Sequence, residues 1–216
     1  MTTAPPRRFA VLASGNGTNV QALLDAQARG ALAPAEIVVV GSNRPGAFAL
    51  ERARAAGVPA IAVDHQAYAS RGEFEAALVA ALAPHAPDAI VLAGFMRVLT
   101  TRFLDAFPLR VINTHPALLP AFPGAHAIEE ALAAGVKLTG ATVHFVDAGV
   151  DAGPIIAQRA VPVLPTDSAD DVRARIQTEE HVLLPAIVRA FAEGRISCEG
   201  RRVTIAPRSA DADQLL

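Results

Sequence analysis

Cysteine is almost absent from this chain. Cys198 is the only one in 216 residues, so no disulfide can form within the chain and cysteine-rich metal clusters are excluded. A reducing compartment, the cytoplasm, is the expected setting. Long apolar runs are missing too. The longest, residues 89–96, contains Gly94 and falls far short of the roughly twenty residues of a membrane-spanning helix. The run 9–13 behind Arg7 and Arg8 is too short for the apolar region of a signal sequence. No excess of one charge exists either: the formal net charge is −2, which predicts no nucleic-acid and no membrane partner. Lysine is reduced to Lys137. With the heavy use of alanine, this reads as a G·C-rich coding sequence rather than selection for phosphate contacts.

What is present is core-forming material. Hydrophobic residues make up 52% and charged residues 19%, the balance of a compact globular chain. Short β-prone runs at 9–13, 36–40, 59–63, 88–93 and 110–113 alternate with helical patterns at 20–28, 48–56, 71–83 and 101–107. Several of the runs are apolar throughout, as strands are when helices cover both faces of a parallel sheet. The predicted class is α/β: a Rossmann-like, mostly parallel twisted sheet with helices on both faces. Runs at 142–146 and 155–163 predict an antiparallel addition in the C-terminal half. A long helix is expected from Thr166-Asp167-Ser168 to about Glu193, kinked or broken at Pro185. A last hairpin is expected over 196–198 and 202–205. The expected organisation is a loose tail over 1–8, one domain over 9–206 and a second tail over 207–216. Within the domain, 9–108 is the phosphate-binding half and 109–206 the catalytic half.

In such sheets, ligands bind beyond the carboxyl ends of the strands. After the first strand comes Ser14-Gly15-Asn16-Gly17-Thr18-Asn19. Two glycines let the backbone approach an anion, and the following helix offers unpaired N–H groups. It is not a full dinucleotide fingerprint, because Val20 occupies the third glycine position, and no Walker lysine follows. The alternative is a tight strand-to-helix turn with Asn or Thr capping the helix.

The fifth strand ends Asn113-Thr114-His115-Pro116. Residues two apart on a strand share a face, so Asn113 and His115 can address one reacting centre. An amide donor beside an imidazole suits acyl transfer: one stabilises an oxyanion while the other moves the proton. The loop from Asp147 to Pro154 carries Asp147 and Asp151, and a carboxylate close to His115 would favour its charged form. Two other readings stay open. Asn113 and His115 can simply end a strand, or His115, His126 and His144 can converge on zinc with Asp151. No Gly-x-Ser-x-Gly elbow supports a serine hydrolase. His65, His85 and His181 are read as surface or helix residues, and Cys198 carries no assigned chemistry.

Several segments together resemble the folate-dependent formyltransferase family. They are Asn113-Thr-His115-Pro-Ala-Leu-Leu-Pro120, Asp151-Ala-Gly-Pro154-Ile-Ile and Ala93-Gly-Phe-Met96-Arg97-Val-Leu99. The likeness runs from the Ser14–Asn19 loop to Gln177-Thr-Glu-Glu180-His181, and fits the branch that formylates a ribonucleotide amine. The resemblance implies transfer of formyl from 10-formyltetrahydrofolate, as co-substrate and without a metal, to glycinamide ribonucleotide in purine synthesis.

It also implies roles for individual residues. Asn113 would bind the formyl oxygen and the tetrahedral oxyanion, and His115, paired with Asp151, would transfer the proton. Gly17, Thr18 and Asn19 would hold the phosphate, and Glu180 the ribose hydroxyls. Met96, Arg97, Val98 and Leu99, with Asp147 and Asp151, would line the folate pocket. Arg71 and Arg97 would meet the folate's glutamate tail, and His144 would be a secondary pocket residue. Ala117 and Ala121 depart from the family pattern, removing a hydroxyl and a peripheral charge. The expected assembly is a monomer or homodimer. The competing functions are a hydrolase passing formyl to water, and a Rossmann-type nucleotide-binding module with Ser42-Asn43-Arg44 near a 2′-phosphate.

Overall fold

Phe9, Val11 and Ala13 face one apolar cluster while Ala10 and Leu12 face another, which explains why this run is apolar at every position. It forms an interior strand, third of seven, of the sheet in a computed structural model that describes residues 7–208. The strands are β1 (Arg7–Leu12), β2 (Ala35–Ser42), β3 (Ala60–Ala62), β4 (Ala89–Leu92), β5 (Val111–His115), β6 (Leu138–Phe145) and β7 (Ile155–Pro162). Their spatial order is β3-β2-β1-β4-β5-β6-β7. Pairings from β3 through β5 are parallel, and β6 and β7 add antiparallel. The expected Rossmann-like class and its antiparallel addition are both borne out, and the sheet is continuous across residue 108.

The helices α1 (Thr18–Ala28), α2 (Phe48–Ala55) and α6 (Ala169–Ala192) cover one face. Helices α3 (Arg71–Leu82) and α4 (Thr101–Asp105) cover the other. A short helix, α5 (Ala127–Ala133), packs under α6 beside β6 and β7. It has no counterpart among the expected elements, because about two turns of Ala-rich sequence after a Pro-Gly segment carry little periodic signal. The last hairpin, β8 (Ile196–Glu199) with β9 (Arg202–Ile205), forms its own two-stranded sheet.

One boundary differs from expectation. Arg7 and Arg8 belong to β1 rather than to a tail. The Arg8 N–H donates to Asp88 at 2.9 Å, its guanidinium caps the His85 carbonyl at 2.9 Å, and the Arg7 guanidinium lies over the Phe191 ring. Residues 1–6 and 209–216 of the expected tails lie outside the described residues. Pro185 does not end α6, which runs for 24 residues through it. Proline removes one helical hydrogen bond, but Leu183, Leu184, Ile187 and Val188 bury their side chains on both sides of it. Each such burial stabilises by roughly 1.5–3 kcal/mol, enough to carry the helix past. At its start, Ser168 and Asp171 form a reciprocal capping box, so the expected entry point is borne out.

The winding direction reverses between β1 and β4, which are neighbours in the sheet. Chains leaving their carboxyl ends diverge and open a crevice. The Ser14–Asn19 loop follows one strand and the Gly94–Leu99 segment the other.

Candidate active site

Strand β5 sets the geometry. Alternation places Asn113 and His115 on one face and Thr114 on the other. Antiparallel pairing then brings His144 of β6 opposite Asn113. The Asn113 amide Nδ2 lies 3.1 Å from His144 Nε2 and 3.4 Å from Asp151 Oδ1. His115 Nδ1 stands 3.3 Å from Asp151 Oδ2, and its Nε2 is 2.8 Å from the Phe122 carbonyl oxygen. The three residues expected to form the centre therefore meet there, 36 and 38 positions apart in sequence.

Asp151 is placed by its loop. Its φ of 49° lies in the left-handed region, where few residues other than Gly, Asn and Asp are at ease. The nearby Gly153 is obligatory, since a Cβ there would fall 1.8 Å from the Phe145 carbonyl oxygen. Burial raises the Asp151 pKa. Contact with His144, the Gly124 N–H at 2.8 Å and the nearby charges of His115 and His144 outweigh it, so the carboxyl lies below its ordinary value of 3.8. The His144–Asp151 approach is 3.7 Å, electrostatic rather than a proper hydrogen bond.

His144, expected as a secondary pocket residue, lines the cleft and also contacts the centre. It is 1% exposed, touches both Asn113 and Asp151, and is fixed from behind by its Nδ1 at 2.9 Å from the Phe145 carbonyl. Its position two residues after Thr142 on a predicted strand was the available signal; the pairing register that puts it opposite Asn113 was not. His126, in contrast, is exposed at the start of α5. Among the described residues, no group of three or more His, Cys, Asp or Glu is arranged to hold a metal ion.

A cleft of about 260 Å³ opens from this centre, lined by Met96, Arg97, Val98, Leu99, Asn113, His115, Asp147 and Asp151. Met96 and Val98 are largely exposed while Leu99 is buried, so the segment offers apolar side chains on an anchored base. That base is Thr100, whose N–H and hydroxyl both bond the buried carboxylate of Glu75. Arg71 is not in the cleft lining; it is an exposed residue in the first turn of α3.

A second cleft, of about 380 Å³, is lined by the Ser14–Asn19 loop, Arg44, Arg173, Gln177 and Glu180. The two clefts share Gly94, Met96, Thr114 and Pro116, so a ligand in one can reach a ligand in the other. Helix α1 begins at Thr18 with Gly17 as its N-cap, in a left-handed conformation and with no side-chain cap. Neither Asn nor Thr caps the helix with its side chain, and the positive end of α1 faces this cleft. Gly17 cannot be larger, as a Cβ would sit 2.6 Å from that of Ala49.

Glu180 falls in the buried stripe of α6 with Val172, Ile176, Leu183 and Leu184. A carboxylate there requires partners. It accepts from Asn19 Nδ2 at 3.0 Å and from Thr114 Oγ1 at 2.9 Å, tying the loop after β1 to the strand that carries Asn113 and His115. Asn43 is 1% exposed and its side chain is committed to Ser14 Oγ and His65 Nδ1. The Ser42-Asn43-Arg44 turn therefore leaves only Arg44 on the cleft, which weakens the dinucleotide-cofactor alternative.

Known proteins with this sequence and shape agree with one another. The family model described as formyl transferase matches residues 7–188. The chain is 49% identical over 206 residues to the phosphoribosylglycinamide formyltransferase of Mycobacterium tuberculosis (strain ATCC 25618 / H37Rv), covering 93% of this chain and 94% of that one. It is 43% identical over 186 residues to the enzyme of the same name from Escherichia coli (strain K12), covering 86% and 87%. The crystal structure of glycinamide ribonucleotide transformylase 1 from Symbiobacterium toebii has a TM-score of 0.92 at 52% identity, over 95% of this chain and 96% of that chain.

Proposed function

The chain belongs to the formyl transferase family, and from that premise we infer that it transfers the formyl group of 10-formyltetrahydrofolate to the amine of glycinamide ribonucleotide. The activity is a formyl-transfer step of purine biosynthesis. The observation that carries the choice of acceptor is the pair of adjoining clefts. One is an apolar slot beside Asn113, His115 and Asp151; the other is a helix N-terminus suited to phosphate. A hydrolase that passes formyl to water has no use for the second.

In this reading the folate lies along Met96–Leu99 with its formyl carbon near Asn113, and the ribonucleotide phosphate sits on Gly17, Thr18 and Asn19. The amine attacks the formyl carbon, the carbonyl π pair moves to oxygen, and a tetrahedral intermediate forms. Asn113 Nδ2 donates to that oxyanion, exchanging one of its present contacts with His144 and Asp151 for the developing charge. The amine must lose a proton and folate N10 must gain one as the C–N10 bond breaks. His115, held against Asp151, passes a proton to N10, and solvent accepts the one from the amine. Glu180 accepts from the ribose hydroxyls, and Arg97 faces the glutamate tail. Fixing two substrates side by side contributes as much as any single group. The enzyme works in the cytoplasm.

The test is an absorbance assay with 10-formyl-5,8-dideazafolate, with and without glycinamide ribonucleotide. Deformylation that depends on the ribonucleotide supports the transferase. Equal deformylation without it assigns the hydrolase instead.

A further inference from the structure

Arg52 lies outside both clefts, on the far side of the loop that floors the second one. Its guanidinium spends its donors on that loop. Nε donates to the Asn16 carbonyl at 2.8 Å, Nη2 to Asn16 Oδ1 at 3.0 Å and Nη1 to Gln21 Oε1 at 3.1 Å. The plane is stacked on Phe48, 4.8 Å from the ring centroid, which fixes its tilt. One turn earlier, the Ala49 N–H donates to the Gly15 carbonyl at 3.1 Å. Two successive carbonyls of the loop are thus held by α2.

We propose that Arg52 is a positioning residue for the acceptor's phosphate, acting through the loop rather than by contact. In a trans peptide, the C=O and the following N–H point in opposite directions. With the Gly15 and Asn16 carbonyls turned toward α2, the N–H groups of Asn16 and Gly17 turn away from it. Among the described residues neither has an intramolecular acceptor. Two successive N–H groups followed by the open start of α1 make a concave anion site. Without Arg52 the Asn16 carbonyl is released in an exposed loop, the peptide is free to flip, and a carbonyl oxygen can then face the phosphate.

Charge works in the same direction. The adjacent Glu51 is paired with Arg54, and among the described residues no carboxylate forms an ion pair with Arg52. A positive charge therefore stands behind the loop.

The proposal rests on the ribonucleotide reading only for its kinetic arm. R52A and R52K are compared with the unaltered protein in two measurements: calorimetric titration with inorganic phosphate, and steady-state kinetics for both substrates. For R52A, the phosphate Kd and the KM for the ribonucleotide should each rise about tenfold or more, the scale of losing charge-assisted bonds. The KM for the folate and kcat should stay within about twofold. R52K should recover only a minor part, since one ammonium cannot hold Asn16 O and Oδ1 with a fixed plane. Unchanged phosphate affinity in R52A overturns the proposal. So does a parallel rise of both KM values with a lowered Tm, because that is general loosening. If R52A does not fold, full phosphate affinity in R52K overturns it in the same way. Phosphate binding that weakens as expected in a protein with no ribonucleotide-dependent turnover supports the role of Arg52 and rejects the assigned reaction.

Discussion

His115 and Asp151 face each other at 3.3 Å, and the carboxylate oxygen involved also accepts the Gly124 N–H at 2.8 Å. With the other imidazole nitrogen on the Phe122 carbonyl, both ring nitrogens meet oxygen acceptors. The imidazole is thereby held at both edges, and its carboxylate neighbour is locked in place by the Gly124 N–H.

Asp151→Asn tests that arrangement with little backbone penalty, since Asn tolerates the left-handed conformation as well as Asp does. Turnover should fall about a hundredfold or more, on the scale of positioned acid–base groups. Near-normal kcat in a folded variant would remove Asp151 from the mechanism.

Asn113→Ala should lower kcat more than it alters the KM for either substrate, because the oxyanion exists only beyond the ground state. A raised KM with unchanged kcat would assign Asn113 to substrate binding instead.

The ionisation of Asp151 predicts a pH dependence. Its folded pKa is depressed below 3.8, so the stability it contributes is present above the unfolded value and is lost as pH falls through the lower, folded one. Carbon-detected NMR of the Asp151 carboxyl should give a midpoint below 3.8; a midpoint at or above it contradicts the assigned balance of forces.

Gly153→Ala should disable the enzyme without touching a reacting group. The added methyl would meet the Phe145 carbonyl, so the loop must shift and take Asp151 with it. A kcat reduced about tenfold or more is expected, since small displacements of catalytic groups are costly. Full activity would show that the loop has slack.

Asn19→Ala removes one partner of Glu180 and a side chain from the wall of the phosphate cleft. The KM for the ribonucleotide should rise about tenfold, with the KM for the folate little changed. An effect confined to the folate would reverse the assignment of the two clefts.

Much of this was decided locally. The apolar runs at 9–13 and 89–93, the paired glycines after the first strand and the strand-terminal Asn113-Thr114-His115 are legible because backbone periodicity and glycine's freedom act over a few residues. Asn113 and His115 share a face on any strand, in any fold. What the chain alone could not decide was the company they keep. His144 faces Asn113 only through the β5–β6 register, and a one-residue slip would turn it away. Glu180 meets Asn19 and Thr114 only because α6 packs across α1. The hold of Arg52 on Asn16 spans 36 positions. Side-chain chemistry and local conformation are written residue by residue. Distances between segments follow from how sheets and helices pack, and there the tertiary structure decided.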